Sequence, residues 1–267
     1  IAALVVPVTA ALSYSFSKKR DVALISAVLA IFSVYSAPFV GVTDNFSLFM
    51  LFGGLYFIFA TKLIEDSSCQ RYWFFLGLLS GFLSLSRSDG LLWLALTFLF
   101  TLWRAPKNNF SLFTSYALRT SLIVLLGFLI IMSPWYARNL NTFGTLMSPG
   151  GSRALWLDNY DQTFTYPPEK LNMESFLANG WNKILKDRMW AFGKNLQSAY
   201  AAHGSIILFP FIVAGIIYFR KDERVKLAGI AWLILFFVMS FIFPFAGARG
   251  AFFHAGAALQ PMWWTLA

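Results

Sequence analysis

The stretch Leu85-Ser86-Arg87-Ser88-Asp89-Gly90 separates two apolar runs, residues 72–85 and 91–103. One continuous helix over both runs would be about 48 Å long, which exceeds the roughly 30 Å hydrocarbon core of a bilayer. We therefore predict a helical hairpin with the charged stretch at its tip. Each arm gives only about 20 Å of helix, which places the tip in a recess below the membrane surface. A charged pair at such depth is costly and commonly functional, but a plain polar turn relaxed by Gly90 explains the same residues.

Composition indicates an integral membrane protein. Of the 267 residues, 58% are hydrophobic and only 12% are charged, whereas soluble domains carry about 25% charged residues. The net charge of +9 invites a nucleic-acid partner. However, the basic residues lie in short loops between apolar runs, a pattern typical of membrane topology, so we predict no nucleic-acid binding. The single cysteine, Cys69, excludes an intramolecular disulfide and offers no metal-ligand spacing.

Nine apolar runs determine the expected fold class. They cover about residues 1–16, 22–42, 46–64, 72–86, 90–103, 117–137, 205–219, 227–246 and 251–267. We predict an all-α, polytopic transmembrane helix bundle with about eight to nine crossings and one large extracytoplasmic loop containing surface helices. The predicted parts are a transmembrane bundle with an outer-face site (1–137), an extracytoplasmic loop with juxtamembrane helices (138–204) and C-terminal transmembrane segments (205–267).

The basic residues predict the orientation of the bundle. Twelve of them occupy alternate loops: Lys18, Lys19, Arg20, Lys62, Arg71, Arg104, Lys107, Arg119, Arg220, Lys221, Arg224 and Lys226. The short loops of the other face carry only Arg87 and Arg249. Because cytoplasmic loops are enriched in Lys and Arg, the first set is predicted to be cytoplasmic. The protein is thus expected in the plasma or inner membrane, with its functional face on the extracytoplasmic side.

The unusual polar residues all fall on that outer face, which makes them the candidate site. They are Asp44, Arg87, Asp89, Arg138, Asn139, Arg249 and His254. Arginine's planar fork suits bidentate phosphate binding and keeps its charge when partly desolvated. His254 has no second histidine nearby, which argues against zinc and leaves it as a proton donor or a phosphate contact. Asp158 and Asp161 form a D-x-x-D pattern, but two carboxylates in such a loop are more often solvated.

The outer segment 138–204 is predicted to have two halves. The first half is loop-like, with Gly144, residues 149–151 and the Pro167-Pro168 pair. The second half, about residues 173–202, has apolar residues at helical spacing interleaved with lysines. An amphipathic helix on the outer leaflet fits this pattern, and a lid packed on the helix ends fits it equally well. The density of charge excludes a further crossing.

Two motifs carry a resemblance to a known family. Gly77-Leu-Leu-Ser-Gly81-Phe-Leu-Ser-Leu-Ser-Arg87-Ser-Asp89-Gly90 resembles the "G-L-x-x-G-L-x-x-L-T-R-x-[ED]-G" hairpin of GT-C-fold integral-membrane glycosyltransferases. These include dolichyl-phosphate-mannose-protein mannosyltransferases and aminoarabinose transferases. Pro134-Trp135-Tyr136-Ala137-Arg138-Asn139, followed by Phe143-Gly144, is similar to the family's "P-W-x-x-R-N-x-x-x-F-G". The resemblance covers most of residues 1–204, in the same order of segments.

The resemblance implies an inverting glycosyltransferase that takes its sugar from a polyprenyl-phosphate donor. The acceptor would be a hydroxyl of a lipid, glycan or protein. Asp44 and Asp89 are then the catalytic candidates, while the substrate-binding candidates are Arg87, Arg138, Asn139, Arg249 and His254. No cofactor and no protein metal ligand are predicted, and a divalent metal requirement stays open. The family's catalytic carboxylate lies in a first outer loop that is expected to precede residue 1, so the chain is interpreted as a fragment cut at both ends.

Two other classes of function remain open. A membrane transporter or lipid flippase would carry polar groups near the bilayer midplane and broken helices in paired positions. The charges here gather at one face instead. A structural membrane anchor would explain neither the outer arginines nor the recessed tip. The residues alone favour a phosphate-bearing ligand at the outer leaflet.

Overall fold

A computed structural model describes residues 1–32, 36–40, 44–147, 151–165 and 168–267, and all regular structure in these ranges is helical. The helices are α1 Ala2–Ser17, α2 Arg20–Ile31, α3 Ala37–Val40, α4 Phe46–Glu65, α5 Gln70–Ser86, α6 Leu91–Arg104, α7 Phe110–Phe143, α8 Gln162–Thr165, α9 Met173–Leu177, α10 Trp181–Ser198, α11 Phe209–Tyr218, α12 Glu223–Phe237, α13 Pro244–Ala246, α14 Phe252–Gly256 and α15 Gln260–Leu266. The predicted all-α class is confirmed for the described residues.

Three helical segments are long and apolar enough to cross a membrane: Phe46–Glu65, Phe110–Phe143 and Glu223–Ile242. The third combines α12 with the π-helical segment Val238–Ile242 that continues it. Each predicted apolar run contains a helix, although parts of the run at 22–42 lie outside the described residues. The chain therefore has membrane-protein character, with three candidate spans.

The predicted hairpin is present. α5 ends at Ser86, one short 3₁₀ turn covers Ser88–Gly90, and α6 begins at Leu91. Gly90 is required where it stands, because a Cβ built there would lie 2.2 Å from the carbonyl carbon of Leu83. The absence of a side chain lets the turn fold back onto the last turn of α5.

Glycines also set the closest helix contact of the bundle, between α5 and α7. A Cβ built on Gly77 would lie 2.1 Å from the Val124 carbonyl oxygen, and one built on Gly127 would lie 2.4 Å from that of Phe74. Small residues at such positions let two helix backbones approach closely in the absence of a hydrophobic driving force between helices. This contact fixes where the end of α5, and so the hairpin tip, lies along α7.

The helix α7 is the longest of the bundle. Asn109 caps its start by accepting hydrogen bonds from the backbone N–H groups of Ser111 and Leu112, and Gly144 ends it in the left-handed conformation, with φ 69°. Its 34 residues correspond to about 51 Å of helix, well beyond a bilayer core of about 30 Å. As a candidate membrane span, α7 is therefore long enough to tilt or to project beyond the bilayer core.

The final helix, α15, fills the centre of the bundle. Every residue from 257 to 266 is buried, including both Trp263 and Trp264. A Cβ built on Gly53 of α4 would lie 2.0 Å from the Ala258 carbonyl oxygen. The rest of the bundle is packed around this segment.

Two sets of contacts define the two ends of α4. At one end, the Asn45 side-chain amide donates to the Ser86 carbonyl, 3.4 Å away. At the other end, Arg104 donates to the Ile64 carbonyl and pairs with Glu223. The 20 residues of α4 separate these ends by about 30 Å. Arg87 and Lys62 therefore lie at opposite ends of the bundle.

The stretch predicted to be helical, about residues 173–202, contains α9, α10 and most of the π-helical segment Ala199–His203, with a turn at residues 178–180. Buried Asn195 of α10 donates to the Met239 carbonyl and to the Ser240 hydroxyl, at 3.1 and 3.0 Å. These bonds fasten α10 to the end of the span Glu223–Ile242. Of the predicted loop, residues 148–150 and 166–167 lie outside the described part of the chain.

Candidate active site at the hairpin tip

The first element of the site is an ion pair within the hairpin tip. The Arg87 Nε donates to Asp89 Oδ1 at 2.9 Å, and the two side chains are only 17% and 7% exposed. The backbone N–H of Gly90 donates to the Arg87 carbonyl at 2.9 Å, which closes the turn around the pair. The hydrogen bond from Arg87 to Asp89 is thus charge-assisted and lies in a partly desolvated setting, where such a bond is strong.

The second element is Asp44 beside His254. The His254 Nδ1 lies 3.7 Å from Asp44 Oδ1, and both side chains are about one quarter exposed. The imidazole packs against the ring of Phe46 with 4.4 Å between ring centroids. Phe46 is the first residue of α4, so the start of this helix places Asp44 and His254 next to each other.

The two pairs belong to one polar cluster, which we define as Asp44, Arg87, Asp89 and His254. The charges of Arg87 and Asp89 both act on the His254 imidazole, as does that of Asp44. The Asn45–Ser86 hydrogen bond ties the segment before α4 to the hairpin. Residues far apart in the sequence therefore meet at one end of the bundle.

The polar cluster contains buried polar atoms that the protein leaves unpartnered. Asp89 Oδ2 and His254 Nδ1 of the cluster, and Oδ1 of the neighbouring Asn45, are among the buried atoms of the described residues that have no hydrogen-bond partner. The 3.7 Å gap to Asp44 is too long for a hydrogen bond. Each such group costs about 1–3 kcal/mol, which favours a site that is completed by a ligand.

The electrostatics of the polar cluster limit what it can bind. Arg87 carries the single fixed positive charge, whereas Asp44 and Asp89 are both carboxylates. Asp89 lies in the turn outside α5 and α6, and burial raises its pKa, while the Arg87 guanidinium opposes part of that shift. An anionic ligand therefore needs either a neutral Asp89 or a further cation.

Arg249 is a candidate for that cation because of its position in the chain. It lies in the π-helical segment Gly247–Ala251, directly before α14, which carries His254. Its guanidinium lies 5.2 Å from the ring centroid of Tyr160, a cation–π contact with the segment 151–165. The segment 151–165 thus contacts Arg249. The arginine lies five residues before His254 of the polar cluster.

Arg138 and Asn139 make local contacts at the end of α7. The Arg138 guanidinium lies 4.9 Å from the Trp135 ring and 5.4 Å from the Phe143 ring. It also donates to Asn139 Oδ1 at 3.1 Å, and Asn139 donates to the Leu146 carbonyl at 3.0 Å. Asn139 is fully buried, so its role is to hold the chain that leaves the helix. None of these described contacts joins Arg138 to Arg87 or Asp89.

Other predicted polar features fall outside the polar cluster. The backbone of Asp158 accepts from Lys183 Nζ at 3.1 Å and donates to Gln162 Oε1 at 2.9 Å, and the Asp161 N–H donates to Asn159. These bonds organise the loop. Within the described ranges, no group of three or more His, Cys, Asp or Glu side chains is arranged to hold a metal ion.

Sequence reasoning missed three contributors. Asn45 links the two halves of the site and carries an unpartnered oxygen. Phe46 supports His254, and Tyr160 lies under Arg249. A signal existed only for Asn45, since it follows Asp44 directly at the start of an apolar run, where Asn and Asp commonly precede helices.

Comparison with known proteins adds no assignment. Searches against protein-family models, curated proteins and solved structures each gave no match.

Proposed function

We propose that this chain belongs to a membrane glycosyltransferase of the GT-C type. It would transfer a sugar from a polyprenyl-phosphate donor to an acceptor hydroxyl on a lipid, glycan or protein. The resemblance of residues 77–90 and 133–144 to that family supports the proposal. The observation that carries it is the partly buried Arg87–Asp89 pair with Asp44 and His254 beside it and three polar atoms left unpartnered.

The proposed architecture extends the three candidate spans. The shorter helices α1, α2, α5, α6, α11 and the segment 251–267 complete a bundle of eight to nine crossings around the spans. The polar cluster faces the extracytoplasmic side, because the basic loops mark the opposite end as cytoplasmic. Segment 138–204 is the proposed extracytoplasmic loop, with α10 at the membrane surface.

The proposed reaction is a single inverting displacement. A carboxylate takes the proton of the acceptor hydroxyl, and the oxygen forms a bond to the anomeric carbon of the sugar. The bond from that carbon to the donor's phosphate oxygen breaks, and its electron pair leaves with polyprenyl phosphate. Asp44 is the proposed base of the cluster, because its side chain is more exposed than that of Asp89, which is paired with Arg87.

Charge grows on the leaving phosphate, and Arg87 is placed to meet it. A fixed cation in a water-poor site lowers the barrier because it needs no reorganisation when the charge develops. Asp89 orients the guanidinium through Nε, which leaves the two terminal nitrogens of the fork for phosphate oxygens. Arg249 supplies the second cation that the net charge of the polar cluster requires.

The test is transfer of a radiolabelled sugar from polyprenyl-phosphate hexoses and pentoses by membranes containing the full-length protein. We expect release of polyprenyl phosphate together with a labelled acceptor, with both products lost in Arg87→Ala. Arg20→Gln, an exposed cation at the other end of the bundle, is the matched control. Movement of intact donor between leaflets without release of the sugar would instead identify a flippase and overturn the proposal.

A further inference from the structure

A cavity of about 350 Å³ lies at the end of the bundle opposite the polar cluster. It opens between the turn that joins α4 to α5 and the first turns of α7, with Trp73 and Leu112 among its apolar walls. Its volume falls within the range of small-molecule sites, about 300–1,000 Å³. It is separate from the proposed active site because the length of α5 lies between them.

The walls of this cavity are built by specific hydrogen bonds. The Trp73 indole N–H and the Tyr116 hydroxyl both donate to the Ser67 carbonyl, each at 3.0 Å. One backbone oxygen thus joins the turn to both α5 and α7. Ser68 is held in the same turn, because its N–H and hydroxyl donate to Asp66 Oδ1 at 2.9 and 2.6 Å. The cavity is therefore a fixed feature of the bundle.

Arg119 gives the cavity its charge. It is the single ionised side chain among the lining residues, which also include Gln70 and Ser115. Its side chain is exposed, and within the described part of the chain it makes no hydrogen bond or ion pair. An arginine keeps its charge at any physiological pH and binds phosphate oxygens through two parallel hydrogen bonds. An available guanidinium above apolar and aromatic walls fits a ligand with a phosphate and an apolar body.

The position of the cavity indicates which class of phosphate-bearing ligand it would meet. α7 is a candidate membrane span, and the cavity lies along its first turns. Trp and Tyr are enriched at the headgroup level of bilayers, where Trp73 and Tyr116 would then lie. Arg71 lies in the first turn of α5 and Lys107 in the loop between α6 and α7, so the surroundings are cationic. Basic recesses between membrane helices are suited to anionic lipid headgroups.

We propose that this cavity binds the headgroup of an anionic membrane phospholipid, with Arg119 on the phosphodiester and the glyceryl part against Trp73 and Leu112. The lipid would fasten α7 to the α4–α5 turn at the membrane surface. The site is independent of the proposed sugar transfer, since it requires only that α7 crosses a bilayer.

Native mass spectrometry of the detergent-solubilised full-length protein tests the proposal. The measurement is the apparent Kd for phosphatidylglycerol and for zwitterionic phosphatidylcholine. We expect phosphatidylglycerol to bind about five- to tenfold more tightly, the effect of one cation near the surface. Arg119→Gln should remove that preference, and Arg119→Lys should keep part of it. Arg20→Gln, which removes an exposed cation from the first turn of α2 at the same end, should leave it intact.

A second variant addresses the cavity itself. Ser115→Trp fills the cavity from an exposed position and should abolish phosphatidylglycerol binding. Its elution profile on size exclusion should match that of the unmodified protein, which shows that the variant is folded. The proposal is overturned by equal affinity for the two lipids, or by equal losses in Arg119→Gln and Arg20→Gln. Displacement of the lipid by glycerol 1-phosphate at equal concentration would also overturn it, because the ligand would then be a soluble phosphate ester.

Discussion

At the scale of the residue, the hairpin tip joins a rigid cation to unpartnered polar atoms. Arg87 is held by Asp89 at 2.9 Å, yet Asp89 Oδ2 faces no partner. A side chain fixed in this way can meet a developing charge without first giving up mobility. The residue-scale predictions follow from that arrangement.

Arg87→Ala should lower kcat of the full-length enzyme by about 100-fold or more, with a smaller effect on KM, because the lost contact strengthens as the phosphate leaves. Arg87→Lys should recover only part of the activity, since the ammonium group of lysine does not make the two parallel hydrogen bonds of a guanidinium. Turnover per folded molecule with a polyprenyl-phosphate sugar measures both. Unchanged turnover in Arg87→Ala would show that the hairpin tip is a structural turn without a role in the reaction.

Asp89→Asn should be milder, with kcat lower by roughly tenfold, because an amide still accepts a hydrogen bond from Arg87 but holds it less firmly. Asp89→Ala should cost more, since it leaves Arg87 half-buried and unpaired. Side-by-side turnover assays rank the two variants. A greater loss in the asparagine variant would mean that the charge of Asp89 itself takes part in the reaction.

Asp44→Asn tests the choice of base. The amide keeps the size of the side chain beside His254 but does not accept a proton, so turnover should fall by about 100-fold or more. Single-turnover rates with bound donor separate this step from binding. Full activity of Asp44→Asn would assign the base to a carboxylate elsewhere in the full-length protein.

Local sequence was sufficient for part of the site and insufficient for the rest. Arg87 and Asp89 lie two residues apart in a short turn, so their hydrogen bond follows from chain geometry. The meeting of Asp44 with His254 depends on residues more than 200 positions apart, and no spacing rule predicts it. Arg138 was grouped with Arg87 because both are predicted on the outer face, whereas its guanidinium contacts the rings of Trp135 and Phe143. The difference arises because α7 continues beyond Arg138 to Phe143.

At the scale of the element, glycine positions determine how α5 and α7 pack. The motif Gly77-x-x-x-Gly81 was noticed for its family resemblance, and its physical role is to admit the backbone of α7. Helix existence was predictable from apolar runs, whereas this register was not. A one-turn slip would carry the hairpin tip about 5 Å along α7.

Gly77→Ala should destabilise the bundle by about 1–3 kcal/mol, because its methyl group would overlap the Val124 carbonyl. Gly229→Ala in α12 is the matched control, since nothing lies within 4 Å of a Cβ there. That variant should be neutral or stabilising by up to about 1 kcal/mol, from helix propensity alone. Thermal unfolding in detergent compares them, and equal melting temperatures would exclude the tight contact.

At the scale of the whole molecule, the two ends of the bundle carry different chemistry. The polar cluster and the segment 151–165 lie at one end, while Cys69 and the α4–α5 turn lie at the other. The charge pattern predicted this separation, and the contacts at the two ends of α4 agree with it. The orientation in a membrane rests on the positive-inside rule alone.

Labelling with a membrane-impermeant maleimide tests that orientation. Native Cys69 should react only after the membrane is opened, whereas a Cys69→Ser, Asn159→Cys protein should react in intact cells. Asn159 is exposed, which makes it a suitable reporter. Labelling of both positions from the same side would contradict the bundle as described.

The central position of α15 has a consequence for how the protein is made. Gly53 packs against Ala258, and Gly215 packs against Leu266. Ala258 and Leu266 are synthesised after both glycines. At about 5–20 residues per second, roughly 10–40 s separate the emergence of Gly53 from that of its partner. Until residue 258 has been made, Gly53 of α4 lacks the backbone that it contacts in the folded bundle. The packing of α4 against residues 257–259 is therefore a contact of large sequence separation, which forms late in folding.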